Sequence, residues 1–532
     1  MITHIHLENF KGFKERQTIE LKPITLLFGP NSGGKSTVIQ AIHYMREILE
    51  RKNFDPDRTI AGGKAIDLGG FKNLTHMHDS SQPIILQFDL DFENIDLPSF
   101  VNWVEEELLY PQGEDNILAS FYSEIKTGYV KIQIEWSEEL QTALVTSYET
   151  GFNDSTIATI HLTNILAGGK CEFSISSINF FHDLFDREER EFNNKITEVP
   201  IFFSRFVNLL DITDEETPNF EMSVLQKTAI PKWGEELGLH INYSEDEPVD
   251  YEYQRMVENF FTRILVGPGE LLLRELQKMR YIGPLRTIPA RNYTPPKFVD
   301  DESWADGVAA WDVLYKSQQG FINKVNTWLD EKLKCDFTVR VSEMTTLRKD
   351  EPLMASLLSQ SLLDENMDIQ KSLMTRNYTK EFVFVDSRNG VESHAYDIGV
   401  GISQVLPVIV GSLDERSKLV IFEQPELHIH PAVQVNLGDL FISATHNKDR
   451  MIIAETHSEH LILRMLKRIE QTTNDELPPD AQPLKPEDVS VLWFEPGPNG
   501  IKVTALPIDE TGEFTKHWPR GFFEERAEEL FG

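Results

Sequence analysis

The chain has 532 residues, 40% hydrophobic and 10% aromatic, with 51 basic against 86 acidic side chains and a net charge of −35. That composition is globular and long enough for several domains, and it excludes disordered, collagen-like and coiled-coil classes. The acidic balance disfavours non-specific coating of nucleic acid or anionic membrane and suits docking of a basic partner. Two cysteines, Cys171 and Cys335, are too few for a zinc site or a disulfide framework and fit a reducing cytoplasm. The N-terminus has no basic segment followed by an apolar stretch, so no signal peptide is expected. The most apolar later run, Val405 to Leu413, is broken by Pro407 and Gly411 and falls short of the ~18–20 residues of a membrane span.

In chain order, Ile5, Leu7 and Phe10 followed by Thr18 to Leu21 predict an opening hairpin turning near Gly12. Ile24 to Phe28 is a short apolar run that fits a buried parallel strand. From Lys35 the apolar period becomes helical, through Val38, Ile42, Met45 and Leu49 to about Arg51. Residues 83–95 and 129–136 alternate and predict strands with one solvated face. Roughly 178–280 reads as mostly helical and acidic, its charge runs (186–191, 211–216, 245–247) being solvated faces. A basic stretch then holds Lys278, Arg280, Arg286, Arg291 and Lys297 with no acid from Leu276 to Lys297. Ion pairing to the acidic chain and contact with nucleotide or nucleic-acid phosphate are equally open readings of it. Residues 300–380 read as helical again, Glu381 to Asp386 as a strand, and Asn389-Gly390 as a hairpin turn. Helix and strand alternate over 396–470.

Between the predicted strand and helix stands Gly29-Pro30-Asn31-Ser32-Gly33-Gly34-Lys35-Ser36, a complete G-x-x-x-x-G-K-[ST] motif. Its glycines let backbone N–H groups turn inward as an anion nest, and the next helix adds its N-terminal partial charge. Lys35 is placed to bridge β- and γ-phosphate oxygens, Ser36 to ligate Mg²⁺, and Thr37 to bond the α-phosphate. Leu419 to Phe422 is an apolar strand ending in Glu423-Gln424-Pro425-Glu426, a Walker B arrangement in which Glu423 holds Mg²⁺ through water. Met451 to Ala454 is the next strand, ending in Glu455-Thr456-His457-Ser458, where His457 can act as a γ-phosphate sensor. His428 and His430 lack the carboxylate spacing of a metal site and are expected to order the segment after Glu426.

These residues resemble a known class. Leu7 to Phe13 and Gly29 to Thr37 are similar to RecF/SMC/ABC-type ATPase heads, and Glu423 to Pro431 and Glu455 to Ser458 to the Walker B, D-loop and His-switch of OLD-like ATPases. Asp397 to Gln404 lies where that class carries its signature motif. Tyr281 to Arg286 and the tail Trp518 to Phe523 look like a narrower subgroup, the ATPase subunits of Septu-type and retron-attached antiphage systems. The resemblance implies an α/β ABC-type P-loop head with an N-terminal antiparallel β-subdomain and a long, mainly helical insertion. Its expected divisions are 1–95 (N-terminal lobe), 96–275 (mixed, mostly helical insertion), 276–390 (connection), 391–475 (C-terminal lobe) and 476–532 (extension). It also implies a head-to-tail dimer in which ATP and Mg²⁺ on one P-loop are capped in trans by Gly399, Gly401, Ser403 and Gln404.

One departure stands out. Where many such heads carry a water-orienting carboxylate after the Walker B acid, this chain has Gln424. An amide cannot accept the proton, so slow hydrolysis is expected unless Glu426 substitutes. The Q-loop glutamine has no clear position; Asp67 to Lys72 occupies its place. The leading functional expectation is an ATP-controlled regulatory scaffold in an antiphage complex, holding a separate HNH nuclease and, in retron-attached forms, a reverse transcriptase with its RNA/DNA product. No nuclease is legible here: His446-Asn447 lacks an HNH context, and the roughly 75 residues after His457 are too few for a Toprim domain. The alternatives are a SMC/RecF-like DNA-repair ATPase acting on DNA directly, and the ATPase of a transporter.

Overall fold

The computed structural model describes residues 1–57, 59, 66–92, 125–166, 170–176, 179, 191–192, 195–196, 220–222, 228–237, 239–240, 251–290, 293, 295–298, 301–345, 348–350, 354, 379–447 and 449–518. The acidic runs at 186–190, 211–216 and 245–247, Arg291, and residues 519–523 of the tail lie outside them. No helix among the described residues is long and apolar enough to cross a membrane.

Six strands form the central sheet, in the spatial order β13 (Met279–Ile282), β17 (Leu419–Glu423), β18 (Met451–Glu455), β3 (Ile24–Phe28), β19 (Val489–Gly497) and β20 (Gly500–Ala505). The first five run parallel and β20 folds back antiparallel on β19. Period-two geometry divides their side chains between two cores. Leu27, Ile421 and Ile453 face one core; Leu26, Phe422 and Ala454 face the other. Burial on both faces is why these strands appear in sequence as unbroken apolar runs. The segment expected to be a C-terminal extension thus completes this sheet, because β19 pairs in parallel with the P-loop strand β3.

The first core is closed by α1 (Lys35–Arg51) and by one nine-stranded sheet. That sheet contains β1 (Ile2–Glu8), β2 (Gln17–Glu20), β4 (Ile84–Asp91), β5 (Thr127–Ser137), β6 (Thr142–Phe152), β7 (Ser155–Leu166), β8 (Lys170–Ser176), β11 (Phe220–Met222) and β12 (Leu239–His240). A short ribbon of β9 (Glu191–Phe192) and β10 (Lys195–Ile196) stands apart from it. The opening hairpin is present as the antiparallel pair β1 and β2. The strand expected at 129–136 is β5, and the mixed, mostly helical reading of 96–275 is corrected by β6, β7 and β8, which with β5 form four antiparallel strands continuing the N-terminal sheet. Its turn signal is Asn153-Asp154, both at positive φ (45° and 66°), the backbone that a tight hairpin requires. Helix does occupy the end of that segment, as α2 (Tyr251–Gln277). Pro268 inside it has no N–H for the Ile264 carbonyl, and Thr150 Oγ1 of β6 donates to that oxygen instead (3.0 Å).

The second core lies under α3 (Val308–Lys316), α4 (Gln319–Asn326), α5 (Val400–Leu413), α6 (Pro431–Thr445) and α7 (Glu459–Thr473). Beside it stands a three-stranded sheet of β14 (Phe337–Met344), β15 (Thr379–Asp386) and β16 (Glu392–His394), turned at Asn389-Gly390 as expected.

Candidate functional site

The parallel sheet brings the C-terminal ends of β3, β17 and β18 together, the edge at which open α/β sheets bind ligands. After β3 the chain passes through the glycine motif into α1. Gly34 sits at φ 92°, and a Cβ there would lie 2.1 Å from the Ile501 side chain, so this position requires glycine. The first turn of α1 has no side-chain cap and no acidic residue. Its N–H groups and dipole therefore remain available to an anion. Asn31 and Ser32 are exposed at the rim, Gly33 is buried, and Thr37 is buried in the first turn. The Lys35 ammonium lies inside the loop, donating to the carbonyls of Gly29 (3.0 Å) and Pro30 (2.9 Å), 3.8 Å from Glu455 Oε1.

Strand register supplies the acids. Glu423 pairs with Glu455 across β17 and β18, so two carboxylates end adjacent strands. Ser36 Oγ donates to Glu455 Oε2 at 2.6 Å. Burial, then the neighbouring Glu455 charge, pushes the Glu423 carboxyl up to about 7; the Tyr281 hydroxyl bonded to it and Lys35 oppose that shift. Glu426 adds a third carboxylate within the field of Lys35. Three acids around one lysine form a site with surplus negative charge, and the Ser36 hydroxyl bonded to Glu455, with Glu423 on the adjacent strand, offers oxygen ligands that suit a hydrated divalent cation. The residues fit Mg²⁺, which when bound would neutralise phosphate charge.

The turn after β17 aims Glu426. Gln424 is held at φ 45°, its N–H on the Glu455 carbonyl (2.8 Å), a left-handed conformation that costs a non-glycine residue roughly 1–2 kcal/mol. The reversal carries Glu426 back to the end of β18, where its Oε1 accepts the His457 backbone N–H (2.7 Å). Glu426 Oε2 and His457 Nε2 are both buried without a hydrogen-bond partner. Burial, then Lys35, lowers the His457 pKa and keeps the ring neutral, while burial raises that of Glu426. An imidazole nitrogen and a carboxylate oxygen thus stand unpartnered at one edge of the site.

The signature segment occupies the start of α5. Gly399 and Val400 are exposed, and Gly401 approaches the His428 carbonyl so closely that a Cβ would lie 2.9 Å from it. Ser403 is 1% exposed in the single chain, and its Oγ donates to the Ala395 carbonyl at 3.5 Å. Gly399 and Val400 form the exposed edge of the segment, and the Ile402 N–H is bonded to the Gly399 carbonyl (3.1 Å). Gln404 is also turned inward, onto the backbone of Arg286. His430 caps α6, its Nδ1 accepting from Ala432 N at 3.2 Å, and His428 is exposed.

Three contributors were not singled out by the motifs. Glu455 holds Ser36 and Lys35, Tyr281 bonds Glu423, and Arg286 binds the carbonyls of Glu423 and Gln424. A signal for Glu455 existed: both apolar strands end in glutamate at matching positions. The basic stretch resolves into neither of its two readings as a whole. Lys278 pairs with Glu275, Arg280 lies over the Trp304 ring, and Arg286 turns inward to carbonyl oxygens.

A 45-residue stretch, 8% of the chain, is 44% identical to the DNA replication and repair protein RecF of Roseiflexus castenholzii and spans only 11% of that protein. Among solved structures, the chain is similar to an Smc head bound to the C-winged helix domain of ScpA (10% identity, 96% of this chain and 98% of that one, TM-score 0.37). It is also similar to the SMC head domain of Thermotoga maritima (8% identity, 95% and 99%, TM-score 0.36). Residues 1–230 and 314–462 match the family described as AAA ATPase domain, well over half of the sequence. With its P-loop strand set in a parallel sheet and an antiparallel subdomain built from its first strands, this α/β chain belongs to the AAA ATPase domain family.

Proposed function

We propose that the chain is a nucleotide-gated switch: it binds ATP with Mg²⁺ at the P-loop and hydrolyses it slowly. Two heads then associate head-to-tail, the start of α5 on one covering the nucleotide of the other. The observation that carries this reading is the cluster of Lys35, Ser36, Glu423 and Glu455 beneath an uncapped helix N-terminus. ATP binding with Mg²⁺ tests it: a labelled ATP analogue should bind the native chain and fail to bind Lys35→Ala, and equal binding by both would refute the site.

For water activation the geometry favours Glu426, whose Oε2 is unpartnered beside His457, while Gln424 spends its backbone on the turn. At the level of the cell, we read the switch as controlling a separate nuclease subunit in an antiphage complex. The similarity of Tyr281 to Arg286 to that subgroup supports this, and a net charge of −35 suits a basic partner. Co-purification with the product of an adjacent HNH gene should succeed; cleavage of DNA by the purified chain alone with Mg²⁺ would count against it. The short RecF match favours a second reading, direct action on DNA. Salt-sensitive, ATP-dependent retention of duplex DNA in a filter assay would select that one.

A further inference from the structure

The loop after β13 contains a buried arginine whose contacts join the two parts of the site that belong to different nucleotides. Strand β13 pairs in parallel with β17, from Met279 opposite Leu419 to Ile282 opposite Phe422, so the chain leaving β13 emerges beside Glu423. Arg286 is there, 5% exposed. Its backbone N–H donates to Gln404 Oε1 (3.4 Å) and its carbonyl accepts from Gln404 Nε2 (2.7 Å). Its guanidinium spreads over three carbonyls: Nη1 to Gln404 (3.4 Å), Nη2 to Glu423 (3.0 Å) and Gln424 (3.0 Å). The Gln404 side chain and backbone and the turn after β17 are thus bonded to one residue.

Both ends of this bracket are functional positions. Gln404 lies one turn inside α5, just behind the accessible start at Gly399 to Ile402. Gln424 is held at φ 45° from both sides, by Glu455 on its N–H and by Arg286 on its carbonyl. That kink sets the direction in which Glu426 reaches His457. A displacement of the start of α5 is passed to Gln404, through Arg286 to the Gln424 carbonyl, and so to the Glu426 carboxylate. The planar fork sets separate nitrogens on the two segments, Nη1 on Gln404 and Nη2 on Glu423 and Gln424; a lysine ammonium brings its three donors to one point on a shorter stem and does not reproduce that spread.

We propose that Arg286, paired with Gln404, is a positioning residue that couples the signature helix to the hydrolytic turn, setting the rate of ATP cleavage without contributing to ATP affinity. This rests on the reading of the site as an ATP switch, and the test separates the two. The full-length chain, Arg286→Lys, Gln404→Ala, the double variant and Lys35→Ala are compared in binding of a fluorescent ATP analogue, single-turnover cleavage of bound γ-labelled ATP, and thermal unfolding. Loss of binding in Lys35→Ala alone upholds the switch reading whatever the other variants do. Arg286→Lys should bind within about threefold of the native chain yet cleave bound ATP at least about tenfold more slowly. Gln404→Ala should show the same split, and the double variant should be no slower than the slower single one, because both remove one bracket. Cleavage at the native rate by a folded Arg286→Lys would overturn the proposal. So would losses that multiply in the double variant, or affinity falling in step with rate. Should Arg286→Lys fail to fold, Gln404→Ala carries the same binding-against-cleavage split.

Discussion

At the residue scale, two glutamates end neighbouring parallel strands, and their proximity decides how the ligand-free site responds to pH. The Glu423 carboxyl, ordinarily near 4.5, is pushed up to about 7 by burial and by Glu455. Folding therefore favours its protonated form. The stability this provides is complete below about pH 4.5 and is lost as the pH rises through about 7. Glu423→Gln should remove that loss, leaving the ligand-free chain on the order of 2 °C more stable than the native one at pH 8 in a thermal melt. A lower melting temperature for the variant would show that the two acids do not repel. Gln424→Glu should raise steady-state turnover if the missing carboxylate limits hydrolysis. Unchanged turnover would move the burden to Glu426, and Glu426→Gln should then cut single-turnover cleavage by about 10²-fold or more, the size of a general-base contribution.

At the element scale, the sequence made three of the six strands of the central sheet legible because burial on both faces forces continuous apolar runs, and because strand, glycine loop and amphipathic helix occur in that order; β13, β19 and β20 were not anticipated. Ile24 to Phe28, Leu419 to Phe422 and Met451 to Ala454 are the legible three. Of the four strands between Thr127 and Ser176, the alternation over 129–136 revealed the first, and the three that follow it, β6 to β8, were not read as strands. Contacts made by carbonyl oxygens left no trace in composition, which is why Arg286 was readable as a phosphate ligand and is found bonded to peptide oxygens. Ser403 was placed by its distance from Glu423 along the chain, but that spacing carries no information on which way α5 turns its side chains; the structure turns this one inward. Elements also share energetic debts: Thr150 of β6 satisfies the α2 carbonyl exposed by Pro268. Thr150→Val should therefore destabilise the chain by about 1–3 kcal/mol in denaturant unfolding, the cost of one buried unmatched carbonyl.

At the scale of the whole molecule, one chain brings together the P-loop, the acids and His457, and the proposed switch needs the start of α5 from a second copy. The start of that helix is open at Gly399 and Val400, with Tyr396 and Val400 among the exposed large apolar residues. A strongly acidic chain opposes self-association, so in the proposed switch a bound nucleotide and cation supply the difference between free and paired heads. The central claim is that ATP closes two heads upon each other. Its most direct test is the molar mass of the purified chain by light scattering, with and without ATP and Mg²⁺, alongside Lys35→Ala. The account predicts a mass that doubles with ATP in the native chain and stays constant in the variant. A mass that ignores ATP in both would contradict it.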